Sequence, residues 1–139
     1  MKHFFYVLVL AFLVSPVISA QESDKEMVKQ ALNYYLDGGT NNDFDTLKKA
    51  FHENASMKFI GKEGYTEVNA IEFFKGVMKP GPKQDRQTKI SSVDIMGNAA
   101  HARLEIVYKD FAFIDYMNLL KIDGEWKIVS KIFYRDNRK

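Results

Sequence analysis

Two tight-turn signals near the carboxyl terminus constrain the fold most, because they align three apolar-alternating segments. The Asp-Gly pair at residues 123–124 is a strong two-residue hairpin signal, and Lys-Asp at residues 109–110 can form the preceding turn. Three antiparallel strands then share an inner face, which consists of Ala100, Ala102, Leu104, Ile106, Tyr108, Phe111, Phe113, Asp115, Met117, Leu119, Trp126, Ile128, Ser130, Ile132 and Tyr134. The sequence therefore predicts a curved apolar wall that carries one carboxylate, Asp115.

This pairing also predicts the neighbours of Asp115. The carboxylate would lie beside Leu104 and opposite Ile132, with Met117 opposite Ser130. A carboxylate among apolar side chains loses hydration, which favours its protonated form and suits a general acid or base near neutral pH. The alternative is a structural acid that accepts hydrogen bonds from a tyrosine or a helix backbone. The pairing places no second ionisable group beside Asp115 on the sheet, which favours ligand binding over catalysis.

The amino terminus has the pattern of a secretory signal peptide. A basic start at Lys2 precedes an apolar run over residues 4–14, and small residues follow at positions 19–20. This run is shorter than the roughly 20 apolar residues that a membrane-spanning helix needs. We expect residues 1–20 to be removed on export to a bacterial periplasm or to the medium, with Gln21 as the first mature residue and no membrane anchor remaining. An uncleaved amino-terminal anchor is the alternative.

Composition excludes several kinds of site and partner. Of the 139 residues, the 119 that follow position 20 are enough for one domain with one core. The removed segment holds one of the 20 basic residues and none of the 18 acidic ones, so the mature chain is nearly neutral. That balance gives no argument for nucleic acid or an anionic membrane as a partner. Without cysteine, the chain has no disulfide, no thiolate chemistry and no lipid-anchoring cysteine.

The segment before the three strands is predicted to contain three helices. The first begins with a capping box at Ser23 and stops at the glycines 38–39. A short second helix begins at Asn42, and a third begins at Thr66 and ends before the Pro-Gly-Pro segment at residues 80–82. Helices followed by an antiparallel sheet indicate the α+β class.

Further strand signals fall outside the three carboxyl-terminal strands. Residues 55–60 alternate weakly and predict a short strand between the second and third helices. The Gly-Asn pair at residues 97–98 predicts another hairpin, and a change of phase predicts a β-bulge at residues 91–92. The polar, turn-rich residues 79–87 are expected to form the most mobile loop.

This order of elements resembles the nuclear-transport-factor-2-like superfamily and, within it, the putative lumazine-binding family of small exported bacterial proteins. The resemblance spans residues 24–134 and is carried by Tyr34-Tyr35, Gly38-Gly39 before Asp43–Leu47, residues 50–55 (AFHENA) and above all residues 115–129 (DYMNLLKIDGEWKIV). It implies a single domain over residues 21–139, in which three helices pack on a strongly curved, mixed but mostly antiparallel sheet. Because this superfamily includes isomerases, dehydratases, cyclases, hydrolases and binding domains, the resemblance selects no activity.

Four residues are the main polar candidates for the site. In similar enzymes an aspartate on the concave wall often acts as general base, so Asp115 is the first candidate. His52 follows the second helix and could pair with an acid, or it could bind the carbonyls at the helix end. Tyr35 and Tyr108 carry hydroxyl groups that need partners when buried and could face a cavity beside Asp115. His101 alternates onto the polar face and is expected to be exposed or at an interface.

The predicted ligand-binding lining is mainly aromatic and consists of Tyr35, Phe59, Phe74, Tyr108, Phe113, Met117 and Trp126. The three histidines have no metal-site spacing, and the glycine pair at residues 38–39 lacks the pattern of a phosphate loop. We therefore expect neither a metal nor a cofactor.

The opposite face of the predicted sheet is too apolar for full exposure to water. It consists of Ala112, Ile114, Tyr116, Asn118, Leu120, Ile122, Val129 and Phe133. Homodimers that pair through this face are usual among similar proteins, so a homodimer is expected. The alternative is a twisted monomer whose lysine stems cover the apolar surface. The lysines that alternate on the last strand, among them Lys131, are expected on the solvated face or edge.

Three functions follow from these observations. The favoured one is an exported domain that binds a small apolar or aromatic molecule in a cone-shaped pocket, with Asp115 as its polar anchor. The second is a cofactor-independent isomerase, dehydratase or hydrolase in which Asp115 is the general base and a tyrosine or His52 polarises the substrate. The third is a protein-interaction module that acts through the outer sheet face, with its cone filled by its own aromatic side chains.

Overall fold

Three helices lie against the inner face of a six-stranded sheet in the computed structural model, which describes residues 16–138 and the side chains from residue 20 onwards. The elements are α1 (Pro16–Thr40), α2 (Phe44–Lys48), β1 (Phe51–Gly61), β2 (Gly64–Asn69), α3 (Ala70–Val77), β3 (Gln87–Met96), β4 (Ala99–Val107), β5 (Phe111–Ile122) and β6 (Glu125–Asn137). The strand order is β2-β1-β6-β5-β4-β3, and only the β1–β6 pair is parallel in the described sheet. The predicted α+β class and mixed sheet are confirmed.

Helix α1 is longer than predicted at both ends. It begins at Pro16, so the expected cap at Ser23 lies inside the helix, and it continues through both glycines to Thr40. The Thr40 hydroxyl donates to the Leu36 carbonyl (2.7 Å), which supports the last turn. A Cβ on Gly38 would lie 2.4 Å from the backbone nitrogen of Leu47, so glycine at this position allows α2 to pack closely against α1.

The predicted signal peptide lies largely outside the described residues. Residues 1–15 are not described, and residues 16–20 form the first turns of α1. No helix within residues 16–138 is both long and apolar enough to cross a membrane.

The third helix begins later than predicted, because an additional strand precedes it. Thr66 lies in β2, which pairs antiparallel with β1, and α3 starts after Asn69. The Asn69 side chain caps this helix by accepting a hydrogen bond from the Glu72 backbone nitrogen (3.0 Å). Strand β1 is also longer than the predicted segment, since it begins at Phe51 rather than at residue 55.

The two predicted features of the β3–β4 hairpin are confirmed. The strands join through residues 97–98, where Gly97 has a φ of 59° that favours glycine. The pairing shifts by one residue between Ile90 and Ser92, which is the expected bulge. The β4–β5 pairing also matches the prediction, with Leu104 opposite Asp115.

The β5–β6 pairing is as predicted only near the turn. Leu119 lies opposite Ile128, but a bulge at Val129 shifts the rest of β6, so Met117 lies opposite Lys131 and Asp115 lies opposite Phe133. A shift of one residue moves every later side chain to the other face. The predicted faces are therefore wrong for the end of β6.

The bulge exchanges the inner and outer residues of β6 beyond Val129. Lys131 is 4% exposed and Phe133 packs against the core, whereas Ile132 (52% exposed) and Tyr134 (68% exposed) face outwards. Ser130 also faces outwards and accepts a hydrogen bond from the Asn118 side chain (2.9 Å). The prediction that Lys131 lies on the solvated face is wrong.

The outer face remains rich in apolar side chains after this correction. A shallow groove there is lined by exposed apolar and aromatic side chains, namely Ile60, Tyr65, Tyr116, Ile132 and Tyr134. Ala112, which the sequence places on this face, is fully buried. His101 is exposed, as predicted, and stacks on Tyr116. The homodimer through this face stays a prediction.

Candidate functional site

A cavity of about 520 Å³ lies between the helices, the inner face of the sheet and the loop that joins α3 to β3 (residues 78–86). Its apolar wall consists of Leu47, Met57, Phe73, Phe74, Val77, Met78, Ile106, Phe113 and Phe133. Its polar lining consists of Tyr35, Asn42, Lys79, Gln84, Arg86, Tyr108 and Lys131, together with Gly39. The cone is therefore not filled by its own aromatic side chains.

Asp115 lies behind the cavity wall, where two side chains occupy both of its carboxylate oxygens. The Tyr35 hydroxyl donates to Oδ2 (2.7 Å) and the Lys131 ammonium donates to Oδ1 (2.8 Å). Asp115 is fully buried, and its two partners line the cavity while Asp115 itself does not. The carboxylate thus holds Tyr35 and Lys131 in place at the cavity surface.

Burial controls the protonation of both partners. Burial, together with the neighbouring Asp115 carboxylate, raises the pKa of the Tyr35 hydroxyl well above 10, so the tyrosine stays protonated and donates to Asp115 at neutral pH. Burial lowers the pKa of Lys131, while Asp115 opposes that shift by stabilising the ammonium. The ammonium also lies 4.2 Å from the Phe133 ring centroid, a favourable cation–π distance.

The ion pair overturns one part of the sequence prediction. We expected no second ionisable group beside Asp115 on the sheet, but the bulge in β6 turns Lys131 inwards and brings it within hydrogen-bonding distance. The apolar residue opposite Asp115 is Phe133, where the sequence predicted Ile132. The absence of a second group therefore no longer argues against catalysis.

A second polar cluster is centred on Arg86, in the loop between α3 and β3. Its guanidinium donates from Nε to the Thr40 hydroxyl (2.9 Å), from Nη2 to the Leu36 carbonyl (3.1 Å) and from Nη1 to the Tyr108 hydroxyl (2.8 Å). A Cβ on Gly39 would lie 2.4 Å from Arg86 Nη2. Glycine at position 39 therefore leaves the space that the arginine occupies.

Gln84 links the same loop to the end of α1. Its side-chain amide donates to the Gly39 carbonyl (2.8 Å) and to Asn42 Oδ1 (3.1 Å), and its Oε1 accepts from the Tyr108 hydroxyl (2.8 Å). The backbone nitrogen of Gln84 also donates to the Thr40 carbonyl (2.8 Å). These bonds, with those of Arg86, anchor the second half of the loop that we expected to be the most mobile.

Four of the predicted lining residues reach the cavity, namely Tyr35, Phe74, Tyr108 and Phe113. The other three lie elsewhere. Phe59 packs on Phe133 behind the wall (ring centroids 5.0 Å apart), and Met117 is fully buried in the core. Trp126 lies beside the first half of α1, where its indole donates to Asp24 (3.0 Å).

His52 lies on β1, away from the cavity lining. Its Nδ1 accepts a hydrogen bond from the Asn54 backbone nitrogen (3.2 Å), which is a local contact within the strand. Among the side chains of residues 20–138, no group of three histidines or carboxylates could hold a metal ion.

Sequence reasoning missed Lys131 and Arg86, two of the three cationic side chains that line the cavity. Residues 128–129 and 132–133 are apolar pairs, so either residue of each pair could face inwards. The alternation on β6 therefore does not reveal the bulge. No pattern around Arg86 distinguishes it from other polar loop residues. Its role depends on contacts with Leu36, Thr40 and Tyr108, which are distant in the sequence.

Solved structures with the same fold come from several bacteria. An NTF2-like (nuclear-transport-factor-2-like) protein of unknown function from Shewanella baltica is 27% identical, with 82% of this chain and 94% of that chain covered and a TM-score of 0.74. Another from Methylobacillus flagellatus is 28% identical (90% and 97% covered, TM-score 0.71). A ketosteroid isomerase-like protein from Erwinia carotovora atroseptica is 14% identical (79% and 94% covered, TM-score 0.63).

These similarities establish the nuclear-transport-factor-2-like fold that the sequence predicts. A search of curated proteins found no match. A family model described as "Putative lumazine-binding" matches residues 23–134, which is most of the chain. The chain therefore belongs to the putative lumazine-binding family of the nuclear-transport-factor-2-like fold.

Proposed function

We propose that this protein binds a small, largely apolar or aromatic molecule in the cavity between its helices and sheet. The observation that carries the proposal is the cavity itself, about 520 Å³ in volume, with an aromatic wall and a few fixed polar groups. Small-molecule sites typically have volumes of about 300–1,000 Å³ and this combination of lining residues. The family description points in the same direction without identifying the ligand.

The aromatic wall supports a ligand that contains a ring. Phe73 and Phe74 on α3 pack edge to face, and Phe113 and Phe133 on the sheet do the same, with ring centroids 5.6 Å apart in both pairs. Rings held by such contacts present both faces and edges to a planar ligand. We infer that the apolar part of the ligand lies between these two pairs.

Asp115 supports binding indirectly rather than as the polar anchor that we expected. Both of its oxygens are already bonded and its side chain is fully buried, so it cannot reach a ligand directly. The side chains that can reach a ligand are those of its partners, Tyr35 and Lys131. We therefore assign Asp115 as a positioning residue for these two groups.

An enzyme of the isomerase, dehydratase or hydrolase type is the second candidate. The observation that favours it is the buried Lys131 ammonium, which Asp115 holds at the cavity wall and whose pKa is lowered by burial. Groups of this kind can polarise a carbonyl or donate a proton to a substrate. The fold is compatible, since a ketosteroid isomerase-like protein shares it. Conversion of a bound compound into product would establish this candidate.

Export and dimerisation form part of the proposal. The signal-peptide pattern of residues 1–20 supports delivery to the periplasm or the medium, and the exposed apolar side chains of Ile132 and Tyr134 support a homodimer through the outer face. Sizing of the mature protein and mass determination of its amino terminus test these two points.

Native mass spectrometry of the mature protein, purified from the periplasm of its own host, tests the binding function. We expect a co-purifying small molecule that is lost in Val77→Trp, which adds a bulky side chain at the cavity wall on α3, and is retained in Met96→Trp at the exposed end of β3. Val77 lines the cavity, whereas Met96 is 84% exposed and does not line it. If the protein carries no molecule and no compound of an aromatic library raises its melting temperature, the binding function is wrong.

A further inference from the structure

We propose that the ligand carries an anionic group, a carboxylate attached to its apolar body, and that the guanidinium of Arg86 binds this group with help from Lys131. This inference rests on the proposed function, because it names the chemistry of the molecule in the same cavity. Four observations on the polar lining support it.

The first observation is the balance of charge around the cavity. Arg86 and Lys131 both line it, and no aspartate or glutamate does so among the described residues. The Asp115 carboxylate lies behind the wall and balances only Lys131, to which it is bonded. The cavity is thus left with the positive charge of Arg86, to which the exposed Lys79 adds a second charge.

The second observation is that the charge of Arg86 has no anionic partner. Its three hydrogen-bond acceptors are a carbonyl and two hydroxyls, all of them neutral. Among residues 20–138 no carboxylate forms a salt bridge with it. Neutral acceptors compensate for the lost hydration of a half-buried charge only in part, and an anionic ligand would supply the stronger, charge-assisted hydrogen bonds.

The third observation concerns the hydrogen atoms that remain for a ligand. The hydroxyl hydrogens of Tyr35 and Tyr108 are donated to Asp115 and Gln84, and both amide hydrogens of Gln84 are used. Arg86 has five N–H donors, of which three are bonded, and Lys131 has three, of which one is bonded to a carboxylate. Apart from the exposed Lys79 ammonium and one amide hydrogen of Asn42, whose other amide hydrogen is donated to the Pro82 carbonyl, the donors left on the polar wall belong to Arg86 and Lys131.

The fourth observation is that Arg86 is held in place before a ligand arrives. Its three bonds connect the loop to α1 and to the β4–β5 turn, and the absence of a side chain at Gly39 gives it room. A guanidinium that is already oriented loses little conformational entropy on binding. Its planar fork also suits the two oxygens of a carboxylate.

A matched pair of probes tests this inference, namely 1-naphthaleneacetate and the neutral 1-naphthaleneacetamide, measured by isothermal titration calorimetry. We expect the wild-type protein to bind the carboxylate about tenfold or more tightly than the amide, because charge-assisted hydrogen bonds are stronger than neutral ones. Arg86→Gln should remove most of this preference. Arg138→Gln, at an exposed arginine near the carboxyl terminus, is the matched control and should retain it.

Because Arg86 also anchors the loop, Arg86→Lys is a necessary second variant. It retains the positive charge but loses the fork, so it should keep a weaker preference for the carboxylate if the protein remains folded by circular dichroism. Equal affinity of the two probes for the wild-type protein would overturn the inference.

Failure of this inference can be distinguished from failure of the proposed function. If neither probe binds while a neutral compound binds in a manner sensitive to Val77→Trp, the anionic group is wrong and the binding function stands. If no compound binds in the cavity at all, the binding function is wrong and the inference fails with it.

Discussion

Replacing Lys131 with methionine would remove one half of the buried ion pair while keeping most of the volume of the side chain. In the native protein the Lys131 ammonium is 2.8 Å from Asp115 Oδ1, and the two side chains are 4% and 0% exposed. Without the ammonium, the Asp115 carboxylate would keep only the hydrogen bond from Tyr35. The variant therefore leaves a buried negative charge without its counter-ion.

The expected loss of stability is large. Removing one partner of a buried ion pair typically costs about 3–5 kcal/mol, because the remaining charge is neither solvated nor paired. The double variant Asp115→Asn/Lys131→Met removes both charges and keeps an acceptor for the Tyr35 hydroxyl. It should therefore be more stable than Lys131→Met alone, by about 2 kcal/mol or more.

Urea unfolding followed by circular dichroism measures both effects. Lys127→Met is the control on the same strand, because the Lys127 ammonium makes only exposed contacts, an ion pair with Glu125, whose side chain is 73% exposed, and a hydrogen bond to the Lys49 carbonyl (3.0 Å). Such a surface pair contributes about 0–1 kcal/mol, so the control should unfold close to the wild-type midpoint. A Lys131→Met variant as stable as the control would refute the inward position of Lys131 and, with it, the bulge in β6.

Three further changes test the packing and the protonation of the site. Trp126→Ala should lower the free energy of unfolding by about 3–5 kcal/mol in urea melts, because it removes a large side chain that is only 4% exposed; a loss below about 1 kcal/mol would contradict its place in the core. Gly39→Ala should destabilise the protein and weaken carboxylate binding, because the new methyl group would displace Arg86. Gly76→Ala, where a Cβ would have no neighbour within 4 Å, should instead stabilise α3 by about 0.5–1 kcal/mol; the same loss in both variants would refute the close contact at Gly39. Folded Tyr35 keeps its proton above pH 10, whereas Tyr35 in the unfolded chain releases it. The contribution of Tyr35 protonation to the free energy of unfolding is therefore complete below pH 10 and is lost as the pH rises through the raised pKa. Tyr35→Phe should therefore weaken the decline of stability above pH 10 in urea melts taken between pH 8 and 11, and an unchanged decline would contradict the raised pKa.

Local sequence signals predicted the hairpins and the inward position of Asp115 correctly. A turn at residues 97–98 or 123–124 depends on the residues of the turn itself, and the two-residue alternation of β4 and β5 specifies which side chains face inwards. The bulge near residue 91 was also recognisable, because the apolar phase changes within the strand. Each of these features is encoded within about ten neighbouring residues.

The start of the third helix was mispredicted because local signals competed. Thr66 and Asn69 can both cap a helix, but Thr66 lies inside β2, whereas Asn69 is the last residue of that strand and directly precedes α3. A similar competition applies to the glycines of α1, which would stop an isolated helix but here allow α2 and Arg86 to approach.

The sequence alone thus determined the fold class, the β3–β4, β4–β5 and β5–β6 hairpins and an inward-facing aspartate in an apolar wall, because these follow from periodicity and turn chemistry. Only the tertiary structure decided which charges surround the cavity. The alternation of β6 is compatible with two registers, and packing against β1 and β5 selects the one that buries Lys131. The position of Arg86 depends on acceptors 46 and 50 residues earlier in the chain, and such long-range contacts leave no local pattern in the sequence.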